Sequence, residues 1–144
     1  MTRLINGLIG FMARIPYSLI ALIGRLAIGM VFWNSGRSKV DGWNIFHVND
    51  KTAFLFKEEY KLPFVPPDLA ALAAQIAEHV LPALIIIGLA TRFSALGLAI
   101  MTVVIQVFVY PDAYVVHGTW IAILLMLVKF EPGAISLDHL IRRR

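Results

Sequence analysis

Arg25 falls inside the apolar stretch Ile15 to Asn34, and Glu78 inside the apolar stretch Leu69 to Leu89. An ionised side chain surrounded by hydrocarbon is costly unless it is paired or wetted, so each of these residues demands a partner. Arg25 lies nine residues before Asn34 and Glu78 nine residues after Leu69. At the helical rise both sit about 13 Å below the ends of their stretches, which predicts an ion pair between two antiparallel spans. Gln75, His79 and Pro82 surround Glu78 at intervals of three and four, on neighbouring parts of one helix face. Pro82 cannot donate to the carbonyl of Glu78 and leaves it free beside the carboxylate. Gln106 lies about one turn from the end of a third apolar stretch, and His117 opens a fourth. The expectation is a polar, outward-opening cavity walled by Arg25, Gln75, Glu78, His79, Gln106 and His117. Its groups could hydrogen-bond a small headgroup and exchange a proton with it.

A purely structural role accounts for the same residues. Arg25 and Glu78 would lock two helices in register, and Gln75 and Gln106 would add interhelical hydrogen bonds of about 0.6 kcal/mol each. His79, His117 and Glu78 are metal-ligand types, but no HxxxH or HxxE spacing puts two of them on one helix face. His79 points about 100° away from Glu78, so no metal site is expected. Met30, Met101 and Met126 are scattered as core fillers are, rather than clustered as copper ligands. There is no nucleophile-base arrangement, phosphate-binding glycine loop or dinucleotide fingerprint, so a stand-alone enzyme is not expected.

The elements that must position these side chains are membrane helices. The 144 residues are 59% hydrophobic, with a mean hydropathy of +0.77, too apolar for a soluble fold of this size. Residues 1–144 are expected to form one all-α domain, a transmembrane four-helix bundle with spans near 15–34, 69–89, 93–109 and 117–130. The first span carries Arg25 and lacks a small-x-small cleavage pattern, so it is expected to be retained rather than removed as a signal peptide. Seven of the 13 basic residues (Arg3, Arg14, Arg92, Lys129, Arg142, Arg143 and Arg144) fall on one side of these spans. Five others lie in the loop 36–68, offset by acidic neighbours. The positive-inside rule then puts both termini in the cytoplasm of a bacterial inner membrane. The net charge of +4 is thus a topology signal, and no nucleic-acid partner is expected. With no cysteine, disulfides and thiolate metal sites are excluded.

The loop 36–68 holds Trp43, Phe46, Phe54, Phe56, Tyr60 and Phe64. It reads first as an aromatic anchor at the bilayer interface, and second as a surface for a periplasmic partner. Thr52 to Lys61 suits a short amphipathic helix, and Pro66-Pro67-Asp68 starts the second span. Gly88 to Arg92 is a tight hairpin. Ala95, Ala99 and Thr102 form a small-residue contact stripe on the third span. Asp138, following Ser136, is placed to cap a short helix before the final arginines.

Several segments resemble the DoxX family of small bacterial membrane proteins. They are Arg25 to Phe32 with Gly36 and Lys39, Glu78 before Pro82, Gly88-Leu89-Ala90-Thr91-Arg92, and Glu131-Pro132-Gly133-Ala134-Ile135-Ser136-Leu137-Asp138. The likeness covers nearly the whole chain, with Glu131 departing from the family's usual Gly-Pro-Gly. It implies a four-helix inner-membrane protein in which Arg25 and Glu78 occupy shared positions. The family includes proteins linked to quinone-coupled sulfur oxidation, to oxidative-stress complexes and to gene clusters for metal stress and modified metal-binding peptides. The expected function is therefore an accessory membrane subunit of a redox or stress-response system, with a quinone or similar ligand in its cavity and a membrane or periplasmic redox partner. The alternatives are a non-catalytic scaffold docking a periplasmic protein, and a small-molecule or ion carrier. A homo-oligomer is left open.

Overall fold

A computed structural model describes residues 2–60 and 62–143; Lys61 and Arg144, counted in the charge distribution above, lie outside them. The described residues form seven helices and no strands: α1 Thr2–Met12, α2 Tyr17–Arg37, α3 Asp50–Glu58, α4 Pro67–Ile87, α5 Thr91–Phe108, α6 Tyr114–Phe130 and α7 Leu137–Arg142. Three of them, α2, α4 and α5, are long and apolar enough to cross a membrane, and α6 is an apolar helix of 17 residues.

Local chemistry sets the boundaries. Pro16, extended at φ −66° and ψ 131°, separates α1 from α2. The helix over residues 2–12 lies outside the expected spans, although Leu4, Ile5, Leu8, Ile9 and Met12 carry a helical period that the sequence displays. Asn49 caps α3 by accepting from the Thr52 amide at 2.8 Å. Pro67 occupies the first turn of α4 with Asp68 beside it. Gly88 closes α4 in the left-handed conformation, at φ 74°.

α2 packs against α4 and α6, and α5 against α4 and α6, so the four longest helices close a ring of neighbours, with α3 laid across α4. Ala21, Ile28, Phe32, Ile85, Ala95, Leu98, Ala99, Leu124 and Leu127 make the core. The small-residue stripe of α5 is buried within it: Ala95, Ala99 and Thr102. Large apolar side chains face outward along the same helices, among them Ile23, Leu26 and Met30 on α2 and Leu96, Ile100 and Val103 on α5. Buried polar groups and an apolar exterior are what a lipid-solvated helix assembly requires.

The segment after α6 is tied across the ends of the other helices. Tyr17 donates to the Glu131 carbonyl at 2.7 Å, the Ala134 amide to Ser18 Oγ at 2.9 Å and the Asp138 amide to the Gly88 carbonyl at 2.8 Å. α5 has no side-chain cap of its own. The Asp138 carboxylate supplies one, accepting from the Ala90 and Thr91 amides at 2.8 and 2.9 Å. α7 is capped by Ser136, which accepts from the His139 amide, and not by Asp138, whose carboxylate is turned to α5.

Glu131 pairs with Arg142 and with Arg92, the latter at 3.0 Å. The hydrogen bond from Arg142, with the charge of Arg92 added, holds the Glu131 carboxyl below its usual value of 4.5. A depressed folded value means that this contribution is fully present above pH 4.5 and is lost as the pH falls through the folded value. Protection of the Leu137–Arg142 amides, taken relative to their intrinsic exchange rates, is therefore expected to fall on acidification below pH 4.5. An exchange rate in α7 that follows only the intrinsic pH dependence would contradict this.

Candidate functional site

Arg25 and Glu78 do not meet. Gly36 is the α2 residue level with Glu78: a Cβ placed on it would lie 2.9 Å from the Glu78 carbonyl and from the His79 ring. Arg25 lies toward the other end, 11 residues earlier and about 16 Å along the axis, where its Nη2 donates to the Ile135 carbonyl. Equal depth would require Asn34 and Leu69 to be level, and they are not. α2 runs on to Arg37, and the first turns of α4 project past it. There Ala70 and Ala71 pack on Phe56 of α3 rather than on another span.

The partner of Glu78 is Lys39. Its Nζ donates to Glu78 Oε2 at 2.6 Å, to Ser35 Oγ at 2.9 Å and to the Ser35 carbonyl at 3.3 Å. The side chains of Lys39 and Glu78 are only 15% and 3% exposed. A buried carboxylate is tolerable here because an ammonium neutralises it at hydrogen-bond distance. Charge distribution alone groups Lys39 with the basic residues of an exterior loop. The signal that separates it is its spacing, four residues after Ser35 and three after Gly36, which continues the α2 face that meets α4.

The loop that carries Lys39 is fixed from both sides. The Asn49 amide donates to the Lys39 carbonyl at 3.0 Å, and Asn49 Nδ2 donates to the Ser38 carbonyl at 3.2 Å. Gln75 Nε2 donates to the carbonyls of Ile45 and His47 at 2.7 and 3.3 Å. Gln75 thus ties the loop to α4. His79 is buried against Gly36, edge-on to Trp33 at 5.3 Å, with Nδ1 2.8 Å from the Gln75 carbonyl. A carbonyl can only accept, so Nδ1 carries the proton.

Glu78 and Lys39 face a cavity of about 640 Å³ between α2, α3, α4 and α5, closed at one side by α6. His117 also lines it. Gln106 Nε2 donates to the Pro111 carbonyl, which leaves Oε1 as the acceptor for His117 Nδ1 at 2.7 Å. Of the six residues expected in the cavity wall, Glu78 and His117 line it. Gln75 and His79 brace the adjoining loop and helix, Gln106 orients His117, and Arg25 belongs to the opposite end. Tyr60 and Tyr110, from the connections after α3 and α5, also line the cavity and share a hydrogen bond with their rings edge-to-face at 5.6 Å. Burial, then the bond to Tyr110, pushes the Tyr60 hydroxyl well above its ordinary value. Among the described residues no three His, Asp or Glu side chains group as metal ligands would.

Most of the wall is apolar, including Phe32, Phe56, Met101 and Trp120, with the ion pair as a polar point in it. Such a shape can hold an apolar body and orient a polar head. The family model described as DoxX matches residues 20–111. A protein of Haemophilus influenzae, described as an uncharacterized protein, is 31% identical over 131 residues, covering 85% of this chain and 83% of its own length. No solved structure gives a significant match.

Proposed function

The chain belongs to the DoxX family of membrane proteins, and from that premise we propose that it holds a small ligand by its polar head at Lys39 and Glu78, as an accessory subunit of a redox or stress-response system. The observation that carries this reading is the 640 Å³ cavity built around a buried ion pair. A lock between α2 and α4 needs no such volume beside it. Lys39 is an ammonium donor for a carbonyl oxygen, Glu78 can take or return a proton, and His117 offers a second proton-exchanging group. A quinone headgroup matches these groups: two carbonyl acceptors on a ring that apolar walls would cover.

In this reading α2, α4, α5 and α6 all cross the membrane as a four-helix bundle, with the Lys39 end outside the cytoplasm. Arg3, Arg14, Arg92, Lys129, Arg142 and Arg143 lie at the cytoplasmic face of a bacterial inner membrane. The test is to purify the protein in nanodiscs made from cell lipid, extract it and assay for quinone. Parent protein is expected to carry quinone, and Lys39→Met/Glu78→Leu protein to carry none. Parent protein without quinone, and with no uptake of added quinone, would sink the reading.

A second reading, a scaffold for a partner protein, is favoured by the aromatic side chains exposed on the loop 36–68: Trp43, Phe46, Phe54 and Phe64. Photo-crosslinking from Trp43 or Phe46 in cells distinguishes it. Capture of one specific protein supports it, and capture of lipid alone removes it.

A further inference from the structure

Lys39 and Glu78 line the cavity, which extends into the gap between α4 and α5. These helices touch where Gly97 receives Leu81, a Cβ placed on Gly97 lying 3.0 Å from a Leu81 methyl carbon. From that contact toward the start of α4, Glu78 and Ala77 come first and Ala74 and Ala73 follow, all lining the cavity, and Ile100, Met101 and Val104 line it from α5. Positions three and four apart share a helix face. α4 therefore presents methyl groups where larger side chains would close the gap, and the space they leave is the cavity.

The gap is open on the outside of the molecule. Ile100 and Ala73 line the cavity and are also exposed, Ile100 by 58%. Ile100 lies nine residues from the start of α5 and eight from its end, the middle of a helix long enough to cross a bilayer. A cavity wall exposed at that height meets acyl chains rather than water. The cavity wall is rich in donors. Lys39, Ser38, the bonded Tyr60 and Tyr110 hydroxyls and Lys51 all line it, and Lys51 makes no ion pair among the described residues. The one carboxylate, Glu78, is already engaged by Lys39.

We propose that the cavity takes a single-chain amphiphile with an oxygen-acceptor head, which enters sideways from the bilayer between α4 and α5. Its chain lies on Ala73, Ala74 and Ala77, and its head reaches Lys39 and Lys51. This rests on the cavity being a ligand site, as proposed above, and adds the body of the ligand and its route.

Trp120 lines the cavity and reports on it. In a Trp33→Phe/Trp43→Phe background, the probe is 9,10-dibromostearate added to nanodiscs, whose bromines quench indole fluorescence on contact. Saturable quenching of Trp120, relieved by unbrominated stearate, is expected. Ala74→Leu/Ala77→Leu should weaken half-saturation by about tenfold or more, the contact of two or three chain methylenes. The competition by stearate uses the unblocked protein, so the test survives a blocked variant that does not fold. Quenching that rises linearly, is not relieved by stearate and is equal in a folded blocked variant is contact with bulk lipid and overturns the proposal. Saturable quenching in protein that binds no quinone supports the lateral site and strikes only the quinone reading. Quinone bound without saturable quenching strikes only the lateral route.

Discussion

Lys39→Met is expected to destabilise the protein by about 3–5 kcal/mol, because it leaves the Glu78 carboxylate buried without its counter-charge. The Glu78 side chain is 3% exposed, and Lys39 Nζ is the cation within hydrogen-bond distance of it. Water cannot replace the ammonium at that burial, and the hydroxyl of Ser35 is a much weaker partner. Removing both charges reverses most of the loss. Lys39→Met/Glu78→Leu deletes the pair and substitutes apolar groups of similar size, a change that is commonly neutral in a buried setting. The single variant Glu78→Leu completes a double-mutant cycle whose coupling energy isolates the pair. Unfolding of nanodisc-reconstituted protein measures stability, and uptake of quinone measures the site. A pair that serves only as a lock gives a stable double variant with unchanged uptake. The site reading expects a stable double variant that takes up nothing. Lys39→Met protein as stable as the parent would show that water reaches Glu78 and would remove the premise of both.

The sequence displays the helices far better than their register. Hydropathy marks α2, α4 and α5 because each carries a run of apolar residues on the scale of a bilayer, and α6 as a shorter apolar helix, while Pro66-Pro67 and Gly88 punctuate α4 at both ends. Register is a different quantity. It depends on which residues are small enough to let helices approach, and here Gly36 against Glu78 and His79 sets it. Counting from the ends of apolar runs misses that α4 outruns α2, since Ala70 and Ala71 are as apolar as any lipid-facing pair but are covered by Phe56 of α3. The site suffers from the same blindness. Glu78 is visible as a charge in an apolar run, whereas Lys39 looks like one of five basic residues in a loop until the fold turns it inward. Gln75 and His79 have the helical spacing of Glu78, yet their side chains serve the loop 39–49 and Trp33. Spacing fixes a face, not what covers it.

Gly88→Ala is expected to cost about 2–4 kcal/mol and to loosen the end of the molecule opposite the cavity. Gly88 has φ 74°, so any side chain there is strained by on the order of 1 kcal/mol or more. Lack of space costs more than the strain. A Cβ at Gly88 would overlap the Arg25 guanidinium and come within 2.5 Å of Ser136 Cβ and 3.0 Å of Ser136 Cα. The Arg25 side chain, 1% exposed, has no open path to move along, and Ser136 is held through its backbone by Arg25 on Ile135 and by Asp138 on Gly88. The added methyl therefore pushes the whole segment 131–138 away. With it goes the Asp138 carboxylate, the cap that α5 lacks locally, so the Ala90 and Thr91 amides lose their acceptors. Hydrogen exchange at those two amides and along α7 should rise together, while Trp120 quenching at the Lys39 end stays unchanged. Shortening the guanidinium makes room: Arg25→Ala/Gly88→Ala should be less destabilised than the sum of its parts. Additive losses in that pair, or unaltered exchange at Ala90 and Thr91 in Gly88→Ala, would mean that Arg25 does not hold the terminal segment through the space above Gly88.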